Sequence, residues 1–151
     1  MNHPFFARKE FDVVLVDEAG QLTLPAILGP LLLSKTFVLV GDHHQLPPLI
    51  TSEVARRSGM EDSLFAQLCN KNPTAVCSLT CQYRMNEPLT KLPNALTYDG
   101  KLKPANDAVA NRMLSVEEDF DAEARKIQWL TNATSEQPNK AVIFLDTSAE
   151  E

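Results

Sequence analysis

The chain has 151 residues, 44% of them hydrophobic, and a formal net charge of −6. That length allows one domain or parts of two, with apolar residues enough for a packed core. The negative balance argues against a chain-wide basic surface for nucleic acid but leaves a local basic groove open. No apolar run approaches the roughly 20 residues of a membrane span, and no membrane partner is expected. Residues 1–10 carry no signal-peptide pattern. Cys69, Cys77 and Cys81 make an odd count with no metal-type pair spacing, so they read as reduced thiols of an intracellular protein.

In chain order, Phe11-Asp12-Val13-Val14-Leu15-Val16 reads as a strand buried on both faces, as in a helix-covered parallel sheet. It ends in Asp17 and Glu18. Leu24–Leu33 reads as a short helix: Pro25 suits a first turn and Pro30 kinks or ends it. Thr36–Val40 is a second strand, one crossover away. Gly41 to Ile50 is a loop stiffened by Pro47 and Pro48. Residues 53–58 suggest a helical turn stopped by Gly59, with Arg56 and Arg57 exposed. Asp62 or Ser63 caps a helix to about Cys69, with Leu64, Phe65 and Leu68 on one face.

Asn70–Pro73 is the best linker candidate. Ala75–Leu79 reads as a strand. Asn86 caps a helix toward Leu96, with Pro88 in its first turn and Pro93 bending it. Tyr98–Leu102 is a turn, and residues 103–112 are polar and weakly patterned. Ser115–Glu118 fits a capping box, and the acidic residues 117–123 read as a solvated face. Asn132–Asn139 is a loop, and Ala141–Leu145 a last buried strand ending at Asp146. Alternating strands and helices predict an α/β fold with a mostly parallel sheet.

Ligands of open α/β sheets bind beyond the carboxyl ends of the strands. Asp17 and Glu18 fall there. Read alone, they fit either the solvent end of a strand or a working pair. In the second case one carboxylate holds a divalent metal and the other orients or deprotonates an attacking water, as phosphoryl transfer requires. His43 and His44 beside Asp42 fit a loop or part of a metal site, for which no third ligand is evident.

Three ordered strings carry a resemblance: Val16-Asp17-Glu18-Ala19-Gly20-Gln21, Val40-Gly41-Asp42-His43-His44-Gln45-Leu46-Pro47-Pro48, and Gln82-Tyr83-Arg84-Met85. They resemble motifs II, III and IV of superfamily 1 helicases, in the 5′-to-3′ branch that includes the nonsense-mediated-decay RNA helicase. Within that branch the chain is most similar to the eukaryotic replication helicase–nucleases that trim Okazaki-fragment flaps. Asn2-His3-Pro4, Gly29-Pro30-Leu31, Ser63-Leu64-Phe65 and Leu96–Leu102 add to the likeness, which covers residues 1–112 best. His44 stands where that family has glutamine or lysine.

The resemblance implies an incomplete RecA-like P-loop NTPase core. Residues 1–74 are the end of a first RecA-like domain, and 75–151 the start of a second, with ATP between them. It implies that Asp17 holds magnesium, Glu18 polarises the hydrolytic water and Gln45 senses the γ-phosphate. Gly41 and Asp42 belong to the nucleotide site. Arg84 reaches the γ-phosphate as an arginine finger, and Tyr83 stacks on adenine. Arg84 also fits a surface arginine after a strand, though its motif context speaks against that, and Tyr83 fits ordinary core packing nearly as well as stacking.

The implied cofactors are ATP and Mg2+, with an iron–sulfur cluster in the parent protein outside this chain. The implied partners are single-stranded or flap DNA and a single-strand-binding protein. The implied setting is replication and repair in the nucleus, with the mitochondrion as a second site. The alternatives are an RNA helicase of the same branch, a non-catalytic scaffold, and an interaction module docking through 117–123. No Gly-x-x-x-x-Gly-Lys-Ser/Thr string occurs in the sequence, so the cradle for the β- and γ-phosphates is missing. The expectation is a fragment that hydrolyses essentially no ATP alone.

Overall fold

The computed structural model describes residues 6, 9–115, 126–146 and 148. Its contacts divide the chain into two compact units, Met1–Cys77 and Ser78–Glu151. Asn2-His3-Pro4, the capping box beyond Ser115 and the acidic segment 117–123 lie outside the described residues.

In the first unit, β1 (Phe11–Val16) pairs in parallel with β2 (Ser34–Leu39), with Val14 opposite Phe37 and Val16 opposite Leu39. The crossover carries α1 (Leu24–Leu31), with Pro25 in its first turn. Pro30 sits in the last turn, where its missing N–H costs one bond at most. Beyond a short α2 (Glu53–Ala55), Gly59 at φ 84° reverses the chain after a wide helical turn. A left-handed residue there favours glycine. Arg56 and Arg57 both pair with Glu53 on an exposed face. Helix α3 (Leu64–Lys71) starts at Ser63, whose Oγ accepts from the Ala66 N–H at 3.1 Å.

Side chains of β1, α1 and the turn after β1 form the core: Val16, Ala19 and Ile27 are buried, and Val14, Leu31, Leu39, Leu64 and Phe65 pack around them. Burial of such side chains removes apolar area from water at about 25 cal/mol per Å². The other face of β1 is not covered: Phe11, Val13 and Leu15 are exposed. The expectation of a strand buried on both faces is therefore corrected. In a strand, alternate residues face opposite sides, and here only the Val14–Val16 side meets packed helices.

In the second unit, β3 (Cys81–Gln82) pairs in parallel with β4 (Lys103–Pro104). Helix α4 (Glu87–Pro93) is capped by the Asn86 side chain, which accepts from the Leu89 N–H at 3.0 Å. A wide turn follows at Asn94–Tyr98, then Asp99 and Gly100 at φ 52° and 72°. The Asn94 amide closes this turn with two 2.9 Å bonds to the backbone of Leu102. Helices α5 (Asp107–Ala110) and α6 (Gln128–Ala133) complete the unit.

Two expected strands are not formed. Residues 73–75 make a helical turn and 76–80 are exposed and irregular; the first bond to β4 is from the Lys103 N–H to the Thr80 C=O, at the edge of β3. Ala141–Leu145 is irregular too, with Phe144 89% exposed. An apolar run becomes a strand only where a neighbour takes its N–H and C=O groups. Among the described residues no strand pairs with 75–79 or 141–145. Conversely, β4 and α5 form within 103–112, where the sequence is polar and only weakly patterned; Asn106 caps α5 through the Val109 N–H. Cys77 and Cys81 are exposed, whereas burial raises the Cys69 thiol above its ordinary pKa.

Candidate nucleotide-hydrolysis residues

The carboxyl end of β1 delivers Asp17 and Glu18 to the surface, both exposed. Val40 N–H donates to Val16 C=O at 2.8 Å, and Ala19 N–H to Val40 C=O at 2.9 Å. These bonds tie the turn after β1 to the end of β2. Glu18 is forced into a left-handed conformation, φ 50°, ψ 36°. For a residue with a Cβ that costs roughly 1–2 kcal/mol. Strain of this kind persists where surrounding structure over-determines it, and it concentrates at functional sites.

The glutamate is further fixed by its neighbours. Its N–H donates to Asp17 Oδ1 at 2.9 Å, and Gln21 Nε2 donates to Glu18 Oε2 at 3.0 Å. A matching pair follows β2: Gln45 Nε2 donates to Asp42 Oδ2 at 3.0 Å, while Asp42 Oδ1 accepts from the His44 N–H. Each strand thus ends in a carboxylate with a glutamine three residues on. That spacing is visible in the sequence as Glu18/Gln21 and Asp42/Gln45. The motif string alone gives Gln21 no role; the repeated acid-x-x-Gln spacing is the signal that marks it.

The two turns touch backbone to backbone. A Cβ on Gly20 would lie 2.9 Å from the Asp42 carbonyl oxygen, and one on Gly41 would lie 3.0 Å from the Gly20 nitrogen. Gly41 and Asp42 therefore shape the site by allowing this approach. We expect Gly20→Ala to destabilise the chain by about 1–3 kcal/mol, the usual range for forcing atoms into a filled space. Urea or thermal unfolding measures it; an unchanged midpoint contradicts the packing described.

His43 and His44 rings lie 4.1 Å apart, and His43 lies 6.2 Å from Phe65. Among the described residues no three His, Cys, Asp or Glu side chains gather as a metal site. A magnesium ion needs none, because it binds through one or two carboxylates plus water and phosphate oxygens. With Asp17 Oδ1 engaged by an N–H, Oδ2 remains as a donor of that kind.

In the second unit Tyr83 is 69% exposed, so it does not pack into that unit's core. Arg84 is exposed as well. Its backbone N–H donates to Gln82 Oε1 at 2.8 Å. Asp17, Glu18, Gly41, Asp42 and Gln45 are thus brought together within the first unit, while Tyr83 and Arg84 stand together in the second.

The first unit pairs its strands in parallel and ends β1 in an acidic pair, and the chain belongs to the AAA domain family. Two family profiles described as AAA domain match it, over residues 1–53 and 60–151. It is 47% identical to the DNA replication ATP-dependent helicase/nuclease DNA2 of Bos taurus and 46% identical to that of Homo sapiens, in each case over 97% of this chain and 14% of the relative. It is 41% identical to the Saccharomyces cerevisiae protein of that name, over 91% of this chain and 9% of the relative. The chain thus spans about one seventh of the length of the vertebrate relatives.

Proposed function

We propose that the chain is part of the motor of an ATP-dependent DNA helicase/nuclease, with residues 1–74 and 75–151 belonging to two RecA-like domains. The observation that carries this reading is Glu18 at the carboxyl end of β1. It is held in a strained conformation, beside Asp17, with its carboxylate oriented by Gln21. A chain that only needed to fold has no physical reason to retain that strain. The names of the relatives, DNA replication ATP-dependent helicase/nuclease, support the same activity.

In this reading ATP is the substrate. Asp17 holds magnesium, which neutralises charge on the phosphates when bound. Glu18 orients and deprotonates the attacking water. Gln45, held on Asp42, reads the γ-phosphate. Arg84 supplies a planar guanidinium able to pair with two phosphate oxygens at once. Tyr83, with its ring exposed, stacks on adenine. The energy of hydrolysis drives movement along single-stranded or flap DNA in replication and repair, with a single-strand-binding protein as partner. The compartment is the nucleus, with the mitochondrion as a second site. The iron–sulfur cluster belongs outside this chain, because Cys69, Cys77 and Cys81 stand at no metal-binding spacing.

The test is a chimera. Residues 1–151 replace the matching segment of the Homo sapiens relative, and phosphate release is measured with and without single-stranded DNA. DNA-stimulated turnover near that of the unmodified enzyme is expected. A folded chimera that binds DNA without turning over ATP would instead mark a scaffold. The chain alone, which contains no phosphate-loop string, is expected to release essentially no phosphate.

A further inference from the structure

Gln82 is the most heavily bonded side chain near Arg84. Its Oε1 accepts from the N–H groups of Arg84 at 2.8 Å and Met85 at 2.7 Å. Its Nε2 donates to the Met85 C=O at 2.6 Å and to Thr90 Oγ1 at 3.0 Å. The orientation of the amide is forced: two backbone N–H groups on one side need an acceptor, and a carbonyl on the other needs a donor. Thr90 is buried, and its hydroxyl donates to the Asn86 C=O at 2.8 Å. All four bonding positions of the Gln82 amide are therefore used, and they close the loop from 82 to 86 onto α4.

A second tie comes from far along the chain. Arg112 Nη1 donates to the carbonyls of both Tyr83 and Arg84, each at 3.4 Å. Its own carbonyl accepts from Asn86 Nδ2 at 2.8 Å. The Tyr83–Arg84 backbone is thus held at an N–H by Gln82 and contacted at two carbonyls by Arg112 through longer, shared bonds. By contrast, the Arg84 guanidinium has no hydrogen-bond or ion-pair partner among the described residues. The backbone is fixed while the functional group stays free.

We propose that Gln82 and Arg112 are positioning residues that preset Arg84, with Tyr83 beside it, for phosphate contact before any nucleotide arrives. This rests on the reading of Arg84 as the phosphate-contacting arginine. With the backbone held, only the Arg84 side-chain torsions remain to be ordered on contact, and the guanidinium starts from a fixed anchor point near where charge develops in the transition state. Gln82 lies in a motif string that gives it no evident role. Arg112 lies outside every motif.

The test is a double-mutant cycle in the chimera. Gln82→Leu lowers kcat for DNA-stimulated ATP hydrolysis about 10²-fold, the size of a roughly 1 Å misplacement. KM for ATP and nucleotide-free single-stranded DNA affinity stay within about threefold, as for an interaction expressed in the transition state. Arg112→Gln gives a smaller loss in kcat, and Arg112→Lys restores part of it. In an Arg84→Ala background, Gln82→Leu causes no further loss, because the group it positions is gone. If Gln82→Leu does not fold, Gln82→Glu runs the same cycle, keeping the two acceptor bonds and losing both donors. Multiplying losses of Arg84→Ala and the Gln82 variant overturn this proposal alone. An Arg84→Ala variant with full turnover overturns the reading of Arg84 and this proposal with it.

Discussion

Arg84→Ala in the chimera lowers DNA-stimulated ATP turnover by about 10³–10⁵-fold, the range for removing an arginine finger. The size follows from the chemistry. In phosphoryl transfer the protein does little covalent work, so positioning and charge stabilisation carry the rate. Arg84 is the one motif cation whose backbone is held at its N–H and contacted at its carbonyl while its side chain stays unpaired among the described residues. Arg84→Lys recovers only a small part, because an ammonium cannot pair with two phosphate oxygens in one plane. Nucleotide affinity changes little by comparison. A turnover loss below about tenfold for Arg84→Ala is too small for a group of this kind and returns Arg84 to the surface arginines.

Glu18→Gln lowers turnover by about 10²–10⁴-fold, the contribution of a positioned acid–base group. The substitution keeps the shape and the left-handed backbone but removes the basic oxygen. It also makes the Gln21 contact neutral, which weakens the hold on the side chain. Gln21→Ala gives a smaller loss in the same direction, since it frees the carboxylate without removing it. Binding of ATP persists in Glu18→Gln, measured by equilibrium titration with a fluorescent nucleotide. Unchanged phosphate release in this variant removes the hydrolytic role of the β1 terminus.

The first strand pair was legible because Val13–Val16 and Phe37–Val40 are uninterrupted apolar runs, and because one helix-length crossover lies between them. Helix α3 and helix α4 were legible from their caps, Ser63 and Asn86, whose side chains both bond the expected turn. Pro30 was a weaker stop than its type suggests, because it falls in a last turn where few bonds remain to lose. The runs 75–79 and 141–145 misled for one reason. Apolar content signals a strand only if a neighbour strand is present, and neighbour identity is a property of the fold, not of the run. Elements as short as β4 and α5 carry too few residues for a period to show.

The candidate site divides along the same line. Asp17, Glu18, Gln45 and Arg84 were legible as residue types in motif strings. The bonds that orient them were legible only in part. Gln21 repeats the acid-x-x-Gln spacing of Asp42 and Gln45 and could be found by looking for it. The Arg112 ties span 28 and 29 residues, and no local pattern encodes them. The close backbone approach of Gly20 to Asp42 is likewise a long-range fact. Only the glycines themselves hint at it.

We propose that the carboxylates past β1 and the guanidinium of Arg84 serve the same phosphate. The direct measurement is a structure of the chimera with single-stranded DNA and a non-hydrolysable ATP analogue. The account predicts Arg84 within hydrogen-bond reach of the terminal phosphate, about 3 Å, with Glu18 facing a water in line with it. A terminal phosphate bound beside Asp17 and Glu18 with Arg84 turned away into solvent would contradict it.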